Sequence, residues 1–156
     1  MPTLMWRGPA EFDRALQRLV ANASQAARRG ADAAALTVAT RTKEKLTTTT
    51  HRRGEPTPSR PGEPPSLVTG TLRRSVKVVP AEPRGKTGWV SKVGPTAAYG
   101  RIQELGGQLS HNPWHGMWRK GMQGSLPARP YLAPSVQELI DSGALWAAFA
   151  SGWDRF

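Results

Sequence analysis

Five prolines fall within the ten residues 56–65 of this chain. Proline has a fixed φ and no backbone N–H, so neither a helix interior nor a central strand can pass through such a stretch. Thr47–Pro65 opens with four consecutive threonines and carries Arg52, Arg53 and Arg60. It reads as a loop or extended arm with polyproline character. An insertion of this length in a compact domain usually has a use. Here the use is contact with DNA or an acidic neighbour; the plainer reading is a solvated linker. Either way the arm divides the chain into a helical part before it and a mixed part after it.

Before the arm, Pro9 to about Leu46 has helical spacing. Pro9 suits a first helical turn, and Phe12, Leu16, Leu19, Val20, Ala23 and Ala27 form an apolar stripe. Beyond Gly30 the stripe continues in Ala34, Val38 and Leu46. A continuous helix would run roughly 57 Å, long for one domain. A break near Gly30 or projection from the body is therefore expected. Small residues allow another helix to approach closely, and an ordinary core helix is the alternative. Met5 and Trp6 are possible anchors in the lead-in.

After the arm, Leu67–Ser75 reads as a turn and one helical turn. A strand at about Ser75–Pro80, a loop at Ala81–Gly85 and a strand at Lys86–Val93 form an antiparallel hairpin. A lone hairpin is not stable, so it needs the long helix or the C-terminal helix against its apolar face. Val93–Gly107 then reads as a strand end, a turn and a short helix. Thr96 is the expected cap, Ala98, Ile102 and Leu105 share a face, and Gly106 closes the helix. Glu104 sits in the last turn, where a carboxylate opposes the helix dipole. That suggests a cationic partner, with Arg129 the candidate, unless Glu104 is simply solvated.

Gln108–Leu126 places Trp114, Met117, Trp118 and Met122 among glycines and cations, a composition suited to a contact surface. Stacking of nucleic-acid bases on these tryptophans is a less specific alternative. His111 and His115 have metal-ligand spacing only on a helix, which Pro113 and Gly116 oppose, so no metal site is read here. Pro127–Pro134 is expected to be an edge strand. Pro134 begins a last helix, which Gly143 bends and which ends in Trp146, Phe149, Trp153 and Phe156. Those aromatics divide between core and a partner surface.

These signals describe a single α+β domain over residues 1–156. It has a long helix (9–46), the basic arm (47–65), an α+β core (66–134) with a small antiparallel sheet and a short helix, and a C-terminal helix (134–156). Lys and Arg number 22 against 11 Asp and Glu, a net charge of +11 spread along the chain. Such a chain approaches polyanions readily. The absence of cysteine excludes disulfides, thiolate zinc sites and a cysteine nucleophile. Neither a signal peptide nor a membrane span is read. No nucleophile, phosphate-binding or zinc-protease motif occurs, and the carboxylates show no convergent pair. The expectation is a protein that is not an enzyme and needs no cofactor.

Three stretches in order resemble one family. Thr69-Gly70-Thr71-Leu72-Arg73-Arg74-Ser75-Val76 is similar to its "TG-x-L-R-x-S-I" entry to the first strand. Tyr99 to Gly106, including Glu104, is similar to its "Y-A-x-x-x-E-x-G" helix. Ala128-Arg129-Pro130-Tyr131-Leu132-Ala133-Pro134 is similar to its "x-x-R-P-F-L-x-P-A" segment before the closing helix. The family is the Hong Kong-phage-type tail-component family, the neck and tail-completion proteins of long-tailed bacteriophages. The resemblance spans about residues 66–139. Gly100 stands where the family usually has alanine, and Leu105 where an aromatic is common.

The resemblance implies an α+β fold and a non-catalytic place in the virion, assembled in the host cytoplasm. That place is a ring of six copies at the head–tail junction. Its partners would be other copies, the head-closure or connector ring, the tail-terminator or tail-tube proteins, and passing double-stranded DNA held without sequence specificity. Trp114, Met117, Trp118, Trp146, Phe149 and Trp153 are the candidate interface residues. Arg52, Arg53 and Arg60 are the candidates for facing the DNA channel or an acidic ring. A tail terminator, or a free basic DNA-binding protein, is the alternative.

Overall fold

The computed structural model describes residues 8–50, 59–86, 88–109 and 124–154. Helix α1, Pro9–Lys45, is a single 37-residue helix with Pro9 in its first turn. Glu11 near its start and Lys43 and Lys45 near its end complement the helix dipole. It passes through Gly30 without a break, so only the projection half of the sequence expectation holds. Two separate faces of α1 are buried. Ala26 and Gly30 lie under the C-terminal elements, while Ala35, Val38, Ala39 and Thr42 lie under the rest of the fold. In the first turns Phe12, Leu16, Leu19 and Val20 are all exposed.

The hairpin forms as expected, from β1 (Val76–Arg84) and β2 (Gly88–Pro95), antiparallel with Val78 opposite Val93. β1 is longer than the sequence reading, which stopped it at Pro80. The ladder register shifts between Val79 and Glu82. Pro80 has no N–H to offer, and the Ala81 N–H leaves the ladder to donate to Asp32 Oδ1 on α1 at 2.6 Å. A bulge thus absorbs the proline and ties the strand to the helix. On β2, Trp89 Nε1 donates to Ser24 Oγ at 3.0 Å. The Arg28 guanidinium stands 5.4 Å from the Trp89 ring centre, a cation–π distance. The long helix is therefore the hairpin's support.

Helix α2, Thr71–Ser75, is the expected single turn, entered through Gly70 at φ +69° and burying Leu72. Helix α3, Gly100–Leu105, differs from its prediction in two ways. Thr96 does not cap it, because its N–H and its Oγ1 both donate to Ser75 O. Its inward residue is Gly100; Ala98 is exposed and Leu105 is 65 % exposed. A β-carbon at Gly100 would lie 2.6 Å from the Pro95 ring and 3.2 Å from the Tyr131 hydroxyl. Gly106 closes α3 at φ +67°, as expected of a glycine there.

A second, very short pair, β3 (Gly107–Leu109) with β4 (Gly124–Leu126), was not foreseen in the sequence. The expected edge strand at Pro127–Pro134 is absent: the chain is irregular to Pro130 and enters α4, Leu132–Asp141. Pro134 lies within the first turn of α4, where a missing N–H costs nothing. Gly143, at φ +71°, does more than bend the C-terminal helix. It separates α4 from α5, Ala144–Ala150, which runs on into a 3₁₀ turn at Ser151–Trp153. The central core is Ala39, Leu46, Leu72, Val76 and Tyr131, ringed by Val78, Val93, Ala97 and Leu132.

Candidate functional site

The three motif stretches meet in one place. Leu72 and Val76 come from the first, Gly100 and Glu104 from the second, and Tyr131 from the third. Tyr131 is fully buried and its hydroxyl donates to Gly100 O at 3.1 Å. Burial pushes its phenol up to about 12, with the Glu104 carboxylate and Tyr99 adding to the effect. Glu104 accepts three backbone hydrogen bonds at the start of α4. Its Oε2 takes Tyr131 N at 2.8 Å and Leu132 N at 3.0 Å, and its Oε1 takes Ala133 N at 2.8 Å. These are N–H groups that a helix leaves unpaired at its N-terminus, where a negative charge is also favoured.

Arg129 is therefore not the partner of Glu104. Both carboxylate oxygens are occupied by backbone donors, and Arg129 Nε turns to Ser59 O at 2.9 Å. Arg129 is itself buried, and its N–H donates to Gln103 O at 2.7 Å. Beside it, Gly62 N donates to Ala128 O at 2.9 Å. Arg129 thus fastens the end of the proline-rich arm to the core. Pro130 and Gly70 shape the backbone around this cluster, and Tyr99 remains partly exposed at its edge. The motif residues hold the fold together.

A second tie joins α1 to α4. Arg41 donates to Glu138 Oε2 through Nη2 at 2.8 Å and through Nε at 3.0 Å, and Lys45 pairs with Glu138 Oε1. Lys45, and then Arg41, hold the Glu138 carboxyl below its ordinary range. A carboxyl that ionises more easily folded than unfolded stabilises the fold above its unfolded pKa. That contribution disappears as pH falls through the lower folded value. Glu138→Gln should lower the melting temperature at neutral pH. The gap to wild type should close below about pH 4 and shrink in high salt. Thermal melts of the two proteins across pH and salt check this.

Two apolar surfaces are exposed among the described residues. One is formed by Leu16, Leu19 and Val20 along the first turns of α1. The other is a groove of about 260 Å³ between α1, α4 and α5, lined by Ala34, Ile140, Leu145, Trp146 and Phe149. Trp146 is 73 % exposed and meets Phe149 edge to face at 5.8 Å. Of the sequence-predicted interface residues, Trp146 and Phe149 therefore share a surface, and Trp153 is partly exposed on the adjoining turn. Trp114, Met117 and Trp118 lie outside the described residues, as do His111, His115, Met5, Trp6 and Phe156.

Arg52 and Arg53 also lie outside the described residues. Arg60 is exposed, with its N–H donating to Glu63 Oε2 at 3.3 Å. The sequence reading listed Phe12, Leu16, Leu19 and Val20 as a stripe without assigning them to a surface. The signal was present, since an apolar stripe on a helix too long for its domain must end somewhere uncovered. Among the described residues, no cluster of three or more acidic or histidine side chains could hold a metal, and no helix is long and apolar enough to cross a membrane. No protein-family model, curated protein or solved structure matches this chain.

Proposed function

We propose that this chain is a passive structural subunit of the bacteriophage head–tail junction. Six copies form a ring that joins the head connector to the tail and surrounds the passing DNA. The observation that carries the reading is exposed apolar surface at two places on one chain, at Leu16, Leu19 and Val20 and around Trp146. Monomers rarely leave such patches uncovered, whereas a ring subunit needs two different adhesive surfaces. The three stretches that resemble the tail-component family also pack as one unit, which supports taking them together. A net charge of +11 suits a collar around DNA, because phosphate contacts hold the duplex without reading bases.

In this reading Arg52, Arg53 and Arg60 face the channel or an acidic neighbouring ring. Replacing all three by glutamate should leave heads and tails assembled but unjoined, as counted by electron microscopy of lysates. Normal joining would remove these arginines from the account. Mass spectrometry of purified particles tests the reading itself. If mature particles lack the chain, and the purified protein binds DNA as a monomer with steep salt dependence, it is a free DNA-binding protein.

A further inference from the structure

We propose that the cleft between the end of the arm, α2 and α3 holds a backbone phosphate of duplex DNA. The inference rests on the head–tail reading for the presence of DNA, and it assigns a contact to residues other than Arg52, Arg53 and Arg60. The cleft has a volume of about 180 Å³, and its polar lining is Ser66, Thr69, Thr71, Arg73, Tyr99 and Gln103. No carboxylate is among the described residues that line it. Four hydroxyls, a guanidinium and a carboxamide all have hydrogens to donate, and each is a side chain of the kind that holds phosphate oxygens in protein–DNA contacts. The Thr69 and Thr71 hydroxyls stand 2.9 Å apart, so one hydrogen serves that pair and the other is left for an acceptor. Gln103 Oε1 is buried without a partner among the described residues, so this carboxamide has not found all its bonds within the chain.

Two guanidinium groups frame this cleft. Arg73 is anchored through Nε, which donates to Lys43 O at 3.3 Å and leaves both Nη groups for a ligand. Arg74 lies back across Gly70, another wall residue, where a β-carbon would stand 3.1 Å from its Nη1. Both arginines are exposed, and neither pairs with a carboxylate among the described residues. Arg41 and Lys45, by contrast, share Glu138. Uncompensated like charges on adjacent residues repel, and an anion placed between them turns that cost into attraction. The planar guanidinium fork also matches phosphate oxygens in shape. The charge continues past the cleft, with Lys43 at the end of α1 and Lys77 exposed on β1 between the inward Val76 and Val78. Neither lysine has a carboxylate partner among the described residues. A free phosphate needs only the cleft; cations leading away from it suit a strand of phosphates.

Fluorescence anisotropy of a labelled mixed-sequence duplex with the full chain, repeated across salt concentrations, tests this. Each lost phosphate contact lowers the slope of log affinity against log salt by about 0.9. Arg74→Gln should show that loss, and Arg73→Gln combined with Arg74→Gln about twice it. Arg73 also ties α2 to α1, so Arg74→Gln, whose side chain bonds to nothing else among the described residues, carries the test by itself. Tyr99→Phe should weaken binding by about two- to tenfold without changing the slope, because it removes a hydrogen bond and no charge. Arg84→Gln removes an exposed cation at the far end of β1, roughly 26 Å along the strand from Val76, and should leave the slope as it is. A slope loss there equal to that of Arg74→Gln would mean diffuse attraction and no site. Amide shifts of residues 69–73 identify the ligand: they should move with the duplex and far less with inorganic phosphate or polyglutamate at equal charge concentration. Equal movement with phosphate would make a free anion the ligand, and equal movement with polyglutamate an acidic protein; either overturns the proposal. An unchanged slope in Arg74→Gln sinks the cleft and leaves the neck reading standing, whereas a lowered slope in a chain that particles lack does the reverse.

Discussion

Glu104→Ala is expected to lower the unfolding free energy by about 3 kcal/mol, with Glu104→Gln falling between it and wild type. Three backbone N–H groups lose their acceptor together. Each hydrogen bond to a charged group contributes about 1.5–3 kcal/mol, but the Ala133 N–H is exposed and can turn to water, which pulls the sum down. The carboxylate also faces the positive end of the α4 dipole, a contribution of about 0.3–1 kcal/mol. Glutamine keeps one oxygen and so retains part of the cap, but presents a donor to the remaining N–H. A loss of this size is a large share of a small domain's stability of about 5–15 kcal/mol. Urea unfolding of the three proteins gives the order, and hydrogen exchange at residues 131–133 locates the effect. Equal stabilities for Glu104→Ala and wild type would overturn the capping account. Were Arg129 the true partner, the Glu104→Ala effect would largely vanish in an Arg129→Met background; it should persist there.

That same residue shows where the sequence was legible and where it was not. A carboxylate in the last turn of a helix is visibly out of place, so Glu104 could be singled out. Its partner could not, because backbone N–H groups look alike at every position and only the fold says which three stand unpaired nearby. Local periodicity was enough for α1, for the hairpin and for the single turn of α2. It was not enough for Pro80, which looks like a strand end until Asp32, nearly fifty residues away, takes the neighbouring N–H. The three-residue strands β3 and β4 are too short to carry any alternation. The apolar stripe of α1 was readable residue by residue, yet which part would be covered depended on where α5 comes to rest.

Where α5 rests depends on two glycines 122 positions apart, and replacing either should undock it. A β-carbon on Gly152 would lie 2.6 Å from Gly30 Cα and 2.7 Å from Ala26 O, and one on Gly30 would lie 2.5 Å from Phe149 O. All three are backbone atoms, which cannot rotate aside as a flexible side chain can. Arg29 Nε donates to Gly152 O across the same contact at 3.2 Å, so the turn cannot shift without losing that bond. Overpacking of this kind costs about 1–3 kcal/mol or more. Because α5 lies near the end of the described chain and is separated from α4 by Gly143, local release is the cheapest response. Gly152→Ala should therefore strip amide protection from α5 and red-shift tryptophan emission, while Leu72, Val76 and Tyr131 stay packed. Gly30→Ala is the sharper test because two effects oppose each other in sign. Alanine in a helix interior favours the helix by about 1 kcal/mol over glycine, whereas the clash with Phe149 O opposes docking. The close approach should win, so this variant should lose α5 protection despite a better helix former; a net gain in stability would mean that the glycines are not what seats α5.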